Sequence, residues 1–557
     1  MVASISKTVV AVVVVVLIIV AGIAIYYAMQ KPGGPSGGGE VPELTGDFEK
    51  DVINLGKYFE ANGITTLKYS VWAAGDPNSI MRMYGIIEAA NKINKIWEEN
   101  GINVKIEVDK YWQSGFHDLY DEFLSAVPQG TNGDFFVNSY VFIASLAEEG
   151  YILDITDYVN KYWDTVFSDF YKPIMDAGMY KGRYYGVPQD TEARPLYIRK
   201  DVAACMGWDL TNLAEKVKNG EFTWYDVFAK AKEAIDKGCS KWGLIHRKGS
   251  AHPDLIQFIF AFGGKLYDEE SGKLVVDKEA IYKWFKVEYE FARAGLLPED
   301  MMAWDWAQQI HPTIVGELET TGNTLFAIGG TWHWTEWQTK DYYVDPKTGE
   351  ARSLTPEEVK NKFYYTLFPA GEQGKKPVTL SQPFMWMIAS NAGKDNPDYE
   401  VHKEAYHKLA FLMVVAASDP EINAIHSVIS AHVPVRKAAT QLLNDEEWID
   451  KLVKLELDLS SETKEAIKEI VEKTAKEINI KFLADVSYML EYTKLAPSHP
   501  HYPKLAEIFK DAIDKVLRGT MTPEEAVEYV VSKVRADPDL SESATIINEI
   551  PSGWEFP

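Results

Sequence analysis

The chain has 557 residues, 46% hydrophobic and 13% aromatic, with 82 acidic against 57 basic side chains and a formal net charge of -25. A field of that sign repels phosphate backbones and anionic lipid, so nucleic acid is excluded as a partner and docking of the body on a membrane surface is disfavoured. The composition is globular, with enough mass for a core spread over more than one lobe, and the 16 Trp must be core or stacking surface.

In chain order, the first informative stretch is Thr8 to Gln30, which carries no charged residue and lies between Lys7 and Lys31. About 23 uncharged residues suffice to cross a hydrocarbon layer of about 30 Å, and an ordinary signal peptide has a shorter apolar run. No Ala-x-Ala cleavage site stands out, so a retained membrane anchor is expected, with no Cys at its end for lipidation. Pro32-Gly33-Gly34-Pro35-Ser36-Gly37-Gly38-Gly39 reads as a flexible tether. Residues 1–45 are therefore assigned to anchor and tether, and the body is placed on the extracytoplasmic side.

The body begins as β-α-β-α-β. Strands are expected at Leu67–Trp72, Val104–Val108 and Asp134–Val137, with helices from Ser79 to Asn100 and Phe116 to Val127. The first helix carries the i, i+3, i+4 stripe Met83, Ile86, Ile87, Ala90, Ile93 and Trp97, and Asn100-Gly101 stops it. Helices then follow at Trp224–Lys237, Pro253–Phe262 and Lys278–Ala294. Further strands are expected at Trp242–His246, Leu325–Ile328, Phe363–Leu367 and Met385–Ala389. From about Glu400 to Val534 the chain is largely helical, and the charge-rich stretch near 445–480 reads as a solvated insertion. The alternation predicts an α/β fold with mostly parallel sheets flanked by helices. Cys205 and Cys239 could pair in an extracytoplasmic setting or remain two buried thiols; spacing does not decide.

No H-E-x-x-H and no P-loop occurs, and the one G-x-S-x-G match lies in the tether, where no strand-to-helix elbow can activate a Ser. His499-Pro500-His501 lacks Cys or carboxylate partners for a metal. No cofactor motif and no catalytic constellation is found, so no enzyme is expected.

Short segments in a fixed order carry a resemblance. They include Val71-Trp72-Ala73-Ala74-Gly75-Asp76, Asp134-Phe135-Phe136-Val137-Asn138, Tyr180 to Pro188, Leu196 to Asp201, Phe222-Thr223-Trp224 and Ile328-Gly329-Gly330-Thr331-Trp332. Ala431 to Arg436, Pro500-His501-Tyr502-Pro503 and Gly519 to Ala526 complete the set. From about residue 65 to 535 the chain resembles family 1 extracellular solute-binding proteins, the maltose/maltodextrin-type receptors of ABC importers. The resemblance implies a periplasmic-binding-protein-like two-lobe fold of type II. Lobe 1 would comprise 46–190 and 325–382, lobe 2 would comprise 191–324 and 383–495, and 496–557 would form closing helices and a tail.

It also implies a sugar or oligosaccharide held by hinge closure and handed to permease subunits driven by a separate ATPase. Sugars present hydroxyls for polar groups and C–H faces for aromatic rings. The candidate contacts are Trp72 and Asp76 at the end of the first strand, Asn138, then Asp190, Glu192 and Arg194 on the crossing. Trp332 is the expected stacking platform, Trp334 a second on an extended segment, with Trp386 on the other crossing and Tyr502 as the late aromatic. A salt bridge with Arg194 is the competing role for Glu192, and core packing the competing role for Trp72 and Trp386. A peptide, polyamine or polyol phosphate remains an alternative ligand, and a cell-surface glycan-active enzyme an alternative class.

Overall fold

The computed structural model describes residues 39–247 and 253–557. The expected anchor, Thr8 to Gln30, lies outside the described residues, as does the tether up to Gly38. Among the described residues no helix is long and apolar enough to cross a membrane.

Nine strands build two larger sheets: β1 (Thr66–Ala74), β2 (Lys105–Gln113), β3 (Phe135–Ser139), β4 (Gly186–Asp190), β5 (Leu196–Arg199), β6 (Trp242–Ile245), β7 (Thr324–Ile328), β8 (Phe363–Thr366) and β9 (Phe384–Ile388). The first sheet has the order β2-β1-β3-β9-β4, the second β8-β5-β7-β6. Along β1, Leu67, Tyr69, Val71 and Ala73 are buried while Thr66 and Lys68 are exposed, the period-two pattern of a pleated strand. The helix Met81–Glu99 buries the expected stripe and ends at Asn100 before Gly101, whose φ of 67° only glycine adopts cheaply.

Both sheets are mixed rather than mostly parallel. β1 runs parallel to β2 and β3, but β9 runs antiparallel to β3 and β4. In the second sheet β7 is parallel to β6 and antiparallel to β5, which is antiparallel to β8 as well. The reversed strands include β5 and β9, each entering its sheet from the other half of the molecule. That also corrects the division by residue number: β7 and β8, within 325–382, belong to the second sheet, and β9, just after 383, to the first. The helix Tyr399–Ala417 follows β9 onto the first half, packing on Phe48–Ala61 and Met81–Glu99. β4 went unread because Pro188 removes a ladder donor; the strand tolerates it at the sheet edge, beside a register shift that leaves Gln189 as the extra residue.

The chain thus crosses between halves after β4, before β9 and again before the helix Tyr502–Leu517, which packs on Lys278–Arg293 of the second half. The crossings are tied together. Thr379–Leu380 pairs with Thr493–Lys494, and Thr379 Oγ1 accepts the Arg194 amide at 2.6 Å. The stretch near 445–480 is more than a solvated insertion. Ile467, Val471, Ile480 and Leu483 are buried, and Ser460 and Thr463 hydroxyls donate to Glu88 of the first half. Its Asn479 accepts the Trp334 indole and a Gln338 amide N–H of the second half, each at 2.8 Å, so the insertion braces both halves. Cys205 and Cys239 form a disulfide closing 34 residues of the second half.

Candidate functional site

The seam between the halves is where the expected residues were to meet, and the structure sorts them. Asp76 ends β1 and caps the turn Pro77–Ser79, accepting Asn78 N at 2.9 Å and Ser79 Oγ at 2.6 Å. Its charge acts on Glu336 of the second half and on His432 of the first. Trp72, within β1, packs on Tyr111 and Phe123. Asn138 is fully buried, donating to Phe116 O and accepting Ser139 N, so its amide is used by the fold.

Asp190 closes β4 and takes a bidentate Arg82 guanidinium at 2.7 and 2.9 Å, with His426 Nε2 at 3.2 Å. Burial alone would raise its carboxyl, but Arg82, His432 and His426 hold it well below the usual range. Glu192 receives Arg194, which also reaches Asp254, and Arg247 completes the chain on Asp254. Burial raises Glu192 despite Arg194. The salt-bridge role weighed for Glu192 is therefore present, in a charge chain running from the crossing into the second half.

Trp332 is half-buried beside Trp306, ring centroids 5.6 Å apart and 34° from parallel, with Arg247 5.3 Å from both centroids. The two glycines before it serve its own neighbourhood: a Cβ on Gly330 would lie 2.3 Å from Trp332 Nε1, and one on Gly329 2.0 Å from the His333 ring. Trp334 does not share its orientation. Residues 333–339 are helical, so positions two apart diverge by about 200°, and Trp334 stacks on Phe482 at 4.2 Å, away from the seam. Trp386 is core, its indole N–H on Arg82 O. Tyr502 is buried beside Tyr140 with a hydroxyl that has no partner among the described residues.

Other seam residues escaped the sequence reading. Gln189 near the end of β4, Thr191 on the first crossing and Thr331 beside Trp332 hold buried side-chain polar atoms without a partner among the described residues, as does Arg194 Nε. Burying such atoms unpaired costs about 1–3 kcal/mol each. Tyr140, one residue past β3, lies where α/β sheets bind ligands, at a strand's carboxyl end, a signal that was available. It lines a groove of about 630 Å³ between the halves with Tyr180, Tyr267, Thr493 and Ala496.

Two clusters bring His and carboxylate atoms within 4.8 Å of one another: Asp190–His426–His432 and His311–His333–Glu336. Neither fits a metal. In the first, the carboxylate is already spanned by the Arg82 guanidinium. In the second, the Trp337 indole donates to His311 Nδ1 at 2.7 Å; an indole can only donate, so the neutral ring carries its proton on Nε2 and has no lone pair there for a cation.

Two α/β halves joined by tied crossings, with unpartnered polar groups and an indole pair on the seam, define a receptor that encloses a small solute. The chain belongs to the family described as bacterial extracellular solute-binding protein, whose family model matches residues 78–444. Similar solved structures include the GacH receptor of Streptomyces glaucescens GLA.O, at 14% identity and TM-score 0.58, over 86% of this chain and 100% of that one. The sugar-binding protein MalE from Xanthomonas citri matches at 14% identity and TM-score 0.58 over 85% and 98%. Maltose-bound T. maritima MalE3 matches at 16% identity and TM-score 0.54 over 84% and 98%. At these identities the likeness is one of fold.

Proposed function

We propose that the chain is the extracytoplasmic receptor of an ABC importer and that it encloses a neutral sugar or oligosaccharide between its halves. The observation that carries this reading is the meeting of buried, unpartnered polar atoms on Gln189, Thr191, Thr331 and Arg194 with the Trp306–Trp332 pair. Hydroxyls satisfy the first and sugar C–H faces the second. A phosphate-bearing ligand is disfavoured, because the seam's cations, Arg82, Arg194 and Arg247, are each bound to a carboxylate. The acarbose complexes of GacH and the maltose complex of MalE3 support a saccharide, as family membership supports a binding rather than a catalytic role.

The halves would open and close about the crossing segments, with Trp332, Asp76 and Tyr502 at the closing surface and release at a permease powered by a separate ATPase. The run Thr8–Gln30 would hold the receptor at the membrane; partition of the full chain into detergent, lost on its deletion, tests that part. A thermal-shift screen with mono-, di- and malto-oligosaccharides tests the ligand class, since saturation at 100 times Kd adds about 2.7 kcal/mol. Release of shortened sugars would instead make the protein a glycan-active enzyme. No shift with any saccharide would remove the sugar reading.

A further inference from the structure

Behind the Trp306–Trp332 pair lies a second polar group in the wall of the second half, formed by His311, His333 and Glu336. His333 and Glu336 sit three residues apart on the helix His333–Thr339, hence on one face. His311 opens the following helical turn of the chain segment that begins with Trp306, and its ring centroid lies 4.9 Å from that of His333. The two indoles pack edge-on against the group, with ring centroids 4.1 Å apart for Trp306 and His311 and 4.3 Å for Trp332 and His333.

What distinguishes this group is its unused hydrogen-bonding capacity. Both His rings are 0% exposed. Neither His333 nitrogen has a partner among the described residues, nor does His311 Nε2 or Glu336 Oε2. Glu336 Oε1 is already occupied, by the Trp306 indole at 3.2 Å and the Tyr342 hydroxyl at 2.7 Å. With Trp337 on His311 Nδ1, Nε2–H of His311 donates; burial raises the Glu336 carboxyl to about 7, so its Oε2 accepts when ionised and can donate when protonated, and the two atoms stand 3.5 Å apart, too far to satisfy each other. His333 adds one donor and one acceptor. The charges that act on the group include Arg247, engaged on Asp254, with Arg194 acting on His333 and Asp76 on Glu336.

A donor and an acceptor side by side, both buried and unpaired, are complementary to hydroxyl, which offers both in one group. A hydroxyl pairs with Glu336 in either protonation state, whereas a carboxylate cannot donate to the ionised form and an ammonium cannot accept from His311. We propose that His311, His333 and Glu336 are a specificity subsite that reads adjacent hydroxyls of a neutral polyhydroxy ligand whose ring lies against Trp332. This rests on the saccharide reading and deepens it.

The test uses the full-length protein and, as probe, whichever saccharide of the thermal-shift panel binds the wild type; a panel with no binder fails the saccharide reading before this one is reached. His333→Phe and Glu336→Gln are then titrated calorimetrically with that sugar. The expected result is a 10- to 100-fold loss of affinity in each. For His333→Phe, the ligand-free melting temperature should be unchanged or higher, because a buried group without partners is replaced by an apolar ring of similar shape. Equal affinity in both variants overturns the subsite. A fall in the ligand-free melting temperature of His333→Phe beyond that of a Trp332→Ala control also overturns it, because the imidazole would then be holding the fold. Zinc or cobalt chloride supplies the third arm: a stabilising shift present in the wild type and abolished in both variants would make the group a metal site and end the proposal, while no shift, or one retained in the variants, agrees with it.

Discussion

Replacing Arg194 by Met tests the buried charge chain at the first crossing. Arg194, Glu192 and Asp254 have side chains only 2%, 4% and 0% exposed. The substitution leaves Asp254 with Arg247 but strips Glu192 of its bonded cation. Breaking a buried pair from one side costs about 3–5 kcal/mol, since the remaining charge is neither solvated nor paired. Glu192→Gln should cost only about 1–2 kcal/mol, because the amide oxygen still accepts from Arg194, which keeps Asp254. The pH dependence follows in sign. Burial already raises Glu192, and losing Arg194 raises it further. An unfolded Glu releases its proton near pH ~4.3. Above that, the folded variant retains a proton that the unfolded chain has lost, so its stability falls as pH rises, by up to about 1.4 kcal/mol per unit. Urea unfolding followed by Trp fluorescence at pH 7.5 and 5.5 should show the Arg194→Met deficit shrinking at the lower pH. A deficit under about 1 kcal/mol, or one as large for Glu192→Gln, would refute the reasoning.

The disulfide spans a separation of 34 residues, for which loop-closure entropy gives about 4 kcal/mol; Cys205→Ser/Cys239→Ser should lose most of that in urea unfolding, and a loss below about 1 kcal/mol counts against the estimate. Trp332→Ala should weaken sugar binding at least tenfold with little change in melting temperature, whereas Trp334→Ala, which empties the stack on Phe482 and frees Asn479, should cost about 3–5 kcal/mol of stability; the reverse pattern would exchange their roles. Burial holds His407 and His499 down to about 4. Unfolded His protonates near ~6.5, so the unfolded chain binds more protons between those values, and stability is full above the upper one and lost as pH falls towards the lower. His407→Gln with His499→Gln should flatten that slope in thermal melts, and an unaltered slope would assign the acid sensitivity elsewhere.

The elements were legible where the physical signal is local. Alternation along β1 and the stripe from Met83 to Trp97 need only period two or 3.6, and both are realised. Sheet membership is a different kind of fact. Nothing around Leu325 or Met385 says which half each strand joins, because both read as short, wholly apolar runs buried on both faces. Only the path of the chain decides, and the path here places β7 with β5 and β6 and returns β9 between β3 and β4. The insertion misled for a related reason: its charged faces dominate the composition, while the few residues that lock it, Asn479, Thr463 and Ile467, are chemically ordinary and gain meaning from Trp334 and Glu88 far away in sequence.

At the seam several of the side chains expected to face a ligand are instead engaged by the fold itself. Carboxylates were sought as acceptors for hydroxyls, yet a carboxylate buried this deeply is stable only beside a cation, and Asp190 and Glu192 have each taken an arginine. Charge that the protein must neutralise for its own folding is poorly placed to be the first partner of a neutral ligand. Uncharged groups can be left unpaired at lower cost, and those at the seam include Gln189, Thr191, Thr331 and His333. None has a distinctive sequence signature. Trp332 stands out because a large ring beside two glycines is unusual in sequence, and the fold leaves that ring half-buried beside Trp306. The His333-x-x-Glu336 spacing was equally visible but uninterpretable until the segment proved helical, since on an extended chain the two side chains would face opposite ways. The same change of conformation turned Trp334 away from the seam. A single misjudged element therefore both misplaced Trp334 and hid the juxtaposition of His333 and Glu336.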